Sequence, residues 1–293
     1  MTIPTKQLNS GFALPVYGLG TWQMGGRDER TNARDPNNPD AVDVAAIRAA
    51  IEHGVVHIDT AESYAEGHAE ELVAEAVKGY DRSKLFVVSK VYAGHMQRGD
   101  LVAACKNSLH RLEMEYLDLY LLHRHVPAVP LAETMAALDE LVKQGLVRHI
   151  GVSNFLPEFM EEAQSYTKNK IVTNQVHYNL ERRESEATGL LEYCQKNDIF
   201  LMAWRPVGKG AMFENMPPIL KEMCDKYNKT PAQVAINWLV SQDHVVTLSK
   251  TRSLAHLEEN LGSLGWQMEP EDVERLRQEY PNQKIISNIV PLA

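Results

Sequence analysis

Eight short runs rich in branched and aromatic residues recur along the chain, and stretches with helical periodicity separate them. The runs are PVYGLGT (15–21), VVHIDT (55–60), LFVVSK (85–90), LDLYLLH (117–123), VRHIGVS (147–153), IVTNQVHY (171–178), IFLMAW (199–204) and VVTLSK (245–250). Each is too short for a typical helix and reads as a buried strand. Between them, HAEELVAEAVKG places Leu72, Val73, Ala76 and Val77 on one helical face, and LAETMAALDELVKQG and TPAQVAINWLVSQ follow the same pattern. Thr230-Pro231 is a helix entry, with threonine as N-cap and proline in the first turn. Gly54, Gly79 and Gly145 stand where helices should stop. Every connection between runs is long enough for a crossover helix, which predicts parallel strands. Eight parallel β/α units in about 250 residues predict a closed (β/α)8 TIM barrel, here one domain over residues 1–293. The competing architecture is a doubly wound open sheet with a G-x-G-x-x-G turn after its first strand. The corresponding segment, Gly18-Leu19-Gly20-Thr21-Trp22-Gln23, has no third glycine and no helix directly after it.

Ahead of the barrel, KQLNSGFALPVYG predicts a short N-terminal β-hairpin turning at Asn9-Ser10-Gly11. Residues 25–40 are almost wholly polar and read equally as a surface loop or as a flap over an active site. Their arginines (Arg27, Arg30, Arg34) are offset by Asp28, Glu29 and Asp35, so they point to no substrate charge. The apolar tail IISNIVPLA is expected to lie on the body. A net charge of −9 with no basic block argues against nucleic acid as a partner. No apolar run approaches a membrane span, and the first residues lack a signal-peptide layout. Cys105, Cys194 and Cys224 form no CxxC pair and read as reduced helical thiols in a cytoplasmic protein.

In such a barrel, chemistry collects at the C-terminal ends of the strands. There stand Asp59, Lys90, His123, Ser153-Asn154, Gln175, Trp204 and Lys250. Taken singly, each has a plain reading: Asp59 as a turn cap, Lys90 reaching solvent, His123 as a core histidine, Tyr64 as a loop tyrosine. Taken together, neighbouring strands would deliver Asp59, Lys90 and His123 side by side. Asp59 and Lys90 would then be partners, since a pair avoids the cost of a lone buried charge. A lysine cation near the Tyr64 phenol favours the phenolate and is expected to lower its pKa, fitting Tyr64 for proton transfer near neutral pH. His123 would orient a carbonyl oxygen or share the relay. The rival is a metal-dependent hydrolase built on His123-Arg124-His125. It needs further histidines and an acid at other strand ends, where this chain has Lys90, Ser153, Trp204 and Lys250, so no metal is expected.

The segments GLGTW, HIDTAESYAEG, VVSKV, LDLYLLH, RHIGVSNF, NQVHYN and LSKTR…LEENL, in this order from about residue 8 to 262, resemble the aldo-keto reductases. That resemblance implies a (β/α)8 barrel that binds NADPH, with NADH as the lesser alternative, and transfers hydride reversibly between the nicotinamide and a small aldehyde or ketone. It implies a catalytic tetrad of Asp59, Tyr64, Lys90 and His123, with Tyr64 as general acid. Ser153, Asn154 and Gln175 would hold the carboxamide, and Trp204, where the family usually has tyrosine, would stack on the nicotinamide beside Arg205. Val207, Gly208, Lys209 and Gly210 resemble the segment over the pyrophosphate. Lys250, Thr251 and Arg252 resemble the 2′-phosphate site, with Ser249 where proline is frequent and His256 where arginine is frequent. Arg252 is expected to compensate for His256. Glu259 and Asn260 match the adenine-contacting pair. Trp22 and Tyr92 are candidates to line the substrate pocket, or plain core. The expected protein is a monomeric carbonyl reductase; a nucleotide-binding regulatory module is the non-enzymatic alternative.

Overall fold

The computed structural model describes residues 2–26 and 33–293. Arg27, Asp28, Glu29 and Arg30 of the polar stretch lie outside the described residues. Strands β1 (Thr5–Gln7) and β2 (Ala13–Pro15) form the antiparallel hairpin, in register Thr5↔Pro15. The strands β3 (Tyr17–Gly20), β4 (His57–Asp59), β5 (Phe86–Val91), β6 (Leu117–Leu122), β7 (Val147–Ser153), β8 (Ile171–His177), β9 (Phe200–Trp204) and β10 (Val245–Ser249) follow. They close as a parallel barrel in the order β10-β3-β4-β5-β6-β7-β8-β9. Both the hairpin and the (β/α)8 barrel predicted from the sequence are present.

Alternation along each strand sorts residues between two cores. Val88, Leu119, Leu121, Val172, Phe200, Met202, Val246 and Leu248 fill the barrel interior. Leu8, Phe12 and Leu14 of the hairpin pack into the same cluster and close its N-terminal end, with Phe12 about equally near Phe86 (6.1 Å) and Phe200 (6.0 Å). The residues between them, such as Ile58, Val87, Val91, Tyr120 and Leu122, pack outward against the helices. The interior positions continue upward in steps of two. Val88 leads to Lys90, Leu121 to His123, Met202 to Trp204 and Leu248 to Lys250. The same alternation that fills the barrel therefore aims the polar strand ends into its mouth.

Local signals read from the sequence hold. Thr230 forms a capping box with Gln233, and Pro231 opens the helix. The helix Asp40–Glu52 stops before Gly54, which has φ +93°, a conformation that favours glycine. The tail lies on the body: Glu184 accepts from Ser287 N and Leu292 N, and Ala293 N donates to the Asn154 carbonyl. Cys105, Cys194 and Cys224 are free and sit on helices, and burial pushes the Cys105 and Cys194 thiols up to about 12.

Candidate active site

Lys90 is fully buried at the end of β5, and its ammonium donates to three acceptors. These are Asp59 Oδ1 at 2.5 Å, the Thr60 carbonyl at 2.8 Å and the Tyr64 hydroxyl at 3.1 Å. All three ammonium protons are thus used. Gln175 Nε2 donates to the other Asp59 oxygen at 2.8 Å, so the carboxylate is held from two sides. Burial alone would lower the Lys90 pKa, but Asp59 and the Tyr64 oxygen more than offset it, and the cation is retained.

Tyr64 follows β4 at the start of a tight turn. Ala65 and Glu66 both take left-handed conformations, with φ of 49° and 56°, before Gly67. The expectation that Lys90 lowers the Tyr64 pKa is not met. Burial raises it, the Lys90 charge acts against this, Asp59 reinforces it, and the phenol stays above its ordinary value near 10. Desolvation of the phenolate outweighs one neighbouring cation whose charge Asp59 already balances. Tyr64 is therefore protonated at neutral pH. Since Lys90 donates to its oxygen, the phenol proton is not used in that contact.

His123 stands beside Tyr64, edge to face, with ring centroids 5.8 Å apart. Surrounding protein, Lys90 and Arg124 push its pKa down to about 3, so the ring is neutral. Ser63 Oγ lies 3.4 Å from its Nδ1. Sequence reasoning passed over Ser63, whose only signal is its place beside Tyr64. His125 turns away and packs on Phe159, centroids 4.1 Å apart, so the H-x-H pair does not converge. Among the described residues no group of three or more His, Cys, Asp or Glu side chains is arranged to hold a metal ion.

A cavity of about 800 Å³ runs from this cluster across the barrel mouth. Asp59, Tyr64 and His123 reach it, with Lys90 standing behind them. Ser153, Asn154, Gln175 and Trp204 form the floor and one wall. Ser153 Oγ donates to the Gln175 carbonyl and accepts from Asn154 Nδ2. Asn154 Oδ1 is buried with no hydrogen-bond partner. An acceptor left this way is costly unless a ligand donor completes it. The Trp204 indole is stacked nearly parallel on buried His177, at 4.1 Å and 12°. His177 Nδ1 is in turn bonded to Ser287 Oγ at 2.9 Å. The tail thereby braces the indole plane, and Ile289 and Val290 from the same tail line the cavity. No motif in the sequence announced these tail contacts.

Trp22 and Tyr92 both line the cavity, as the sequence suggested. Trp22 is gripped from the loop after β9, with the Arg205 guanidinium 4.5 Å and the Lys209 ammonium 5.1 Å from its ring centroid. Val207, Lys209 and Gly210 reach the cavity, whereas Gly208 turns beside them without lining it. Gly208, Lys209 and Gly210 have φ of 53°, 62° and 83°, a run of left-handed backbone. Lys250, Thr251, His256, Glu259 and Asn260 line the far end. Asn260 Nδ2 also donates to Ser249 Oγ at 3.1 Å, which ties this helix to β10.

Arg252 does not join them. It forms an ion pair with buried Asp43 and donates to the Gln23 carbonyl and Asn38 Oδ1, outside the cavity lining. Asp43 also accepts from Gly25 N and Asn38 Nδ2. The guanidinium is thus committed to locking the loop after β3 onto the loop after β10. The compensation for His256 expected of it fails for that reason.

A polar floor, a buried proton-bearing phenol, an unfilled amide acceptor and a cationic far end describe a site for an elongated ligand with an amide head and an anionic tail. The comparisons agree. The family model for the Aldo/keto reductase family matches residues 17–280. The chain is 37% identical over 282 residues to the methylglyoxal reductase YeaE of Escherichia coli strain K12, covering 95% of each chain. A thermostable aldo-keto reductase, Tm1743, solved with the inhibitor epalrestat, superposes with a TM-score of 0.89 at 40% identity, over 94% of this chain and 98% of that one. An aldo-keto reductase of Klebsiella pneumoniae solved with NADPH gives a TM-score of 0.84 at 33% identity over the whole of both chains. Fold, site and likeness converge, and the chain belongs to the aldo/keto reductase family.

Proposed function

We propose that this enzyme uses NADPH to reduce small aldehydes and ketones, α-oxoaldehydes among them, with Tyr64 as the proton donor. The observation that carries the reading is the saturated Lys90 ammonium, bonded at once to Asp59, Thr60 and Tyr64. Lys90 holds the phenol oxygen and leaves the phenol proton for a carbonyl oxygen in the cavity. As that proton departs, charge develops on the Tyr64 oxygen 3.1 Å from a fixed cation. A preorganised charge of this kind stabilises the transition state more than the ground state. Neutral His123 supplies an N–H to orient the carbonyl without adding a competing positive charge.

The cavity fits the nucleotide. The buried Asn154 Oδ1 suits an amide N–H donor, Trp204 offers an aromatic face, and Lys209 and Lys250 suit phosphates. When bound, the nicotinamide supplies the hydride, and the chain's own residues supply position and the proton. Methylglyoxal reduction in the Escherichia coli relative supports the α-oxoaldehyde class.

The test follows NADPH oxidation with methylglyoxal and 4-nitrobenzaldehyde, with NADH in parallel at equal concentration. Rapid oxidation of NADPH is expected, with NADH at least tenfold slower. Tight NADPH binding without turnover of any carbonyl compound would overturn the enzymatic reading.

A further inference from the structure

Among the described residues that line the cavity, Arg124 is a cation that neither the tetrad nor the cofactor reading assigns. It directly follows His123 at the end of β6 and lines the cavity, while its neighbour His125 packs away into Phe159. It is solvent-exposed, and among the described residues it makes no hydrogen bond or ion pair.

Its place in the barrel separates it from the nucleotide's phosphates. In the order β10-β3-β4-β5-β6, four steps of an eight-stranded barrel divide Lys250, after β10, from Arg124, after β6. The two cations face each other across the mouth. Lys209 lies on the loop after β9, next to β10 and on the Lys250 side. Arg205 is stacked on Trp22 and Trp204.

Among the described residues the carboxylates that line the cavity are Asp59 and Glu259. Asp59 is balanced by Lys90. Glu259 lies on the helix Leu254–Leu261 that follows Lys250, at the opposite end from Arg124. Glu62, close in sequence to Tyr64, is committed to Tyr92 N at 2.5 Å and to His95 at 3.1 Å. Among the described residues, the cavity lining thus holds no side-chain carboxylate on the Arg124 side to satisfy it.

We propose that Arg124 selects carbonyl substrates that carry an anionic group, a carboxylate or a phosphate, on the end of the molecule remote from the reacting carbonyl. The proposal rests on the reductase reading above and names the substrate class for that same site. The guanidinium fork matches either oxyanion in two parallel hydrogen bonds, whereas a lysine ammonium at this position offers a point charge. Because the arginine is exposed, its effect is moderate and salt-dependent.

The experiment compares matched substrates with the intact enzyme and NADPH: butanal against succinic semialdehyde for carboxylate, and glyceraldehyde against glyceraldehyde 3-phosphate for phosphate. At low ionic strength the anionic member of at least one pair is expected to show a kcat/KM about fivefold above its neutral counterpart, carried by KM. Arg124→Gln should remove that ratio and Arg124→Lys should keep part of it, while 0.3 M NaCl should shrink it in the wild type. The pair that responds identifies the group. Equal kcat/KM within both pairs, or a preference that survives in Arg124→Gln, overturns the proposal while leaving carbonyl reduction intact. Failure of every aldehyde to oxidise NADPH sinks the reductase reading and this proposal with it.

Discussion

The Lys90 ammonium lies 2.5 Å from Asp59 Oδ1 in a site where both side chains are almost wholly removed from water. Breaking such a pair from one side leaves an uncompensated buried charge, at a cost of about 3–5 kcal/mol. Asp59→Asn and Lys90→Met should each lose stability of this order in urea titrations. The double variant Asp59→Asn/Lys90→Met should recover a large part of it, because no lone charge remains. Activity should stay lost in all three. Additive destabilisation in the double variant would show that the two residues are not energetically paired.

Tyr64→Phe keeps the ring against His123 and removes the proton. Turnover should fall by at least a thousandfold, since the removed group acts only in the transition state. NADPH binding, read by quenching of tryptophan fluorescence, should change by less than about threefold, or about 0.6 kcal/mol. Loss of binding with retained chemistry would remove Tyr64 from the acid role.

The far end of the cavity separates two cations that look alike in the sequence. Lys250 lines it and Arg252 is bound to Asp43. Lys250→Met should raise the KM for NADPH by more than about tenfold and leave that for NADH nearly unchanged, which is about 1.4 kcal/mol of discrimination. Arg252→Ala should instead lower thermal stability and affect both cofactors alike. A selective NADPH defect in Arg252→Ala, matching that of Lys250→Met, would return the arginine to the phosphate site.

His57 lies in the barrel interior one step below Asp59, fully buried, with neither ring nitrogen hydrogen-bonded. Gly18 makes room for it, since a Cβ there would sit 2.7 Å from the ring. Burial, then the Lys90 charge, pushes its pKa from 6.5 down to about 3. Above pH 6.5 the ring is neutral in both folded and unfolded chains. Below that, the unfolded chain binds a proton that the folded chain refuses until about pH 3, so stability is lost as pH falls through this window. The loss is about 2 kcal/mol at pH 5. His57→Leu should therefore stabilise by about 1 kcal/mol at pH 7, by removing unsatisfied polar atoms, and by about 3 kcal/mol at pH 5. Urea midpoints at the two pH values check this; a gap that does not widen at pH 5 contradicts it.

Much of the barrel was legible because its signals are local. Short branched-rich runs, helical faces, the Thr230-Pro231 entry and the helix-ending glycines depend on near neighbours in the chain. The cluster at the barrel mouth was legible for a related reason: once the strands are known to be parallel and adjacent, Asp59, Lys90 and His123 must arrive at one rim. The Ser63 contact to His123 and the bracing of Trp204 by His177 and Ser287 were not legible, because each joins residues whose proximity follows from closing the barrel and laying the tail across it. Arg252 was misplaced because a residue type close in sequence to Lys250 does not reveal that Asp43, 209 positions away, has claimed it.

The sequence by itself determined the parallel β/α order and the residue types at the barrel mouth, since these follow from pattern and chain connectivity. The tertiary structure alone decided the balance of energies there. Whether Tyr64 is pushed up by burial or down by Lys90, and whether a cation faces the cavity or a buried aspartate, depends on which groups stand within a few ångströms and how much water is excluded. Neither distance nor desolvation is a property of a residue's position along the chain.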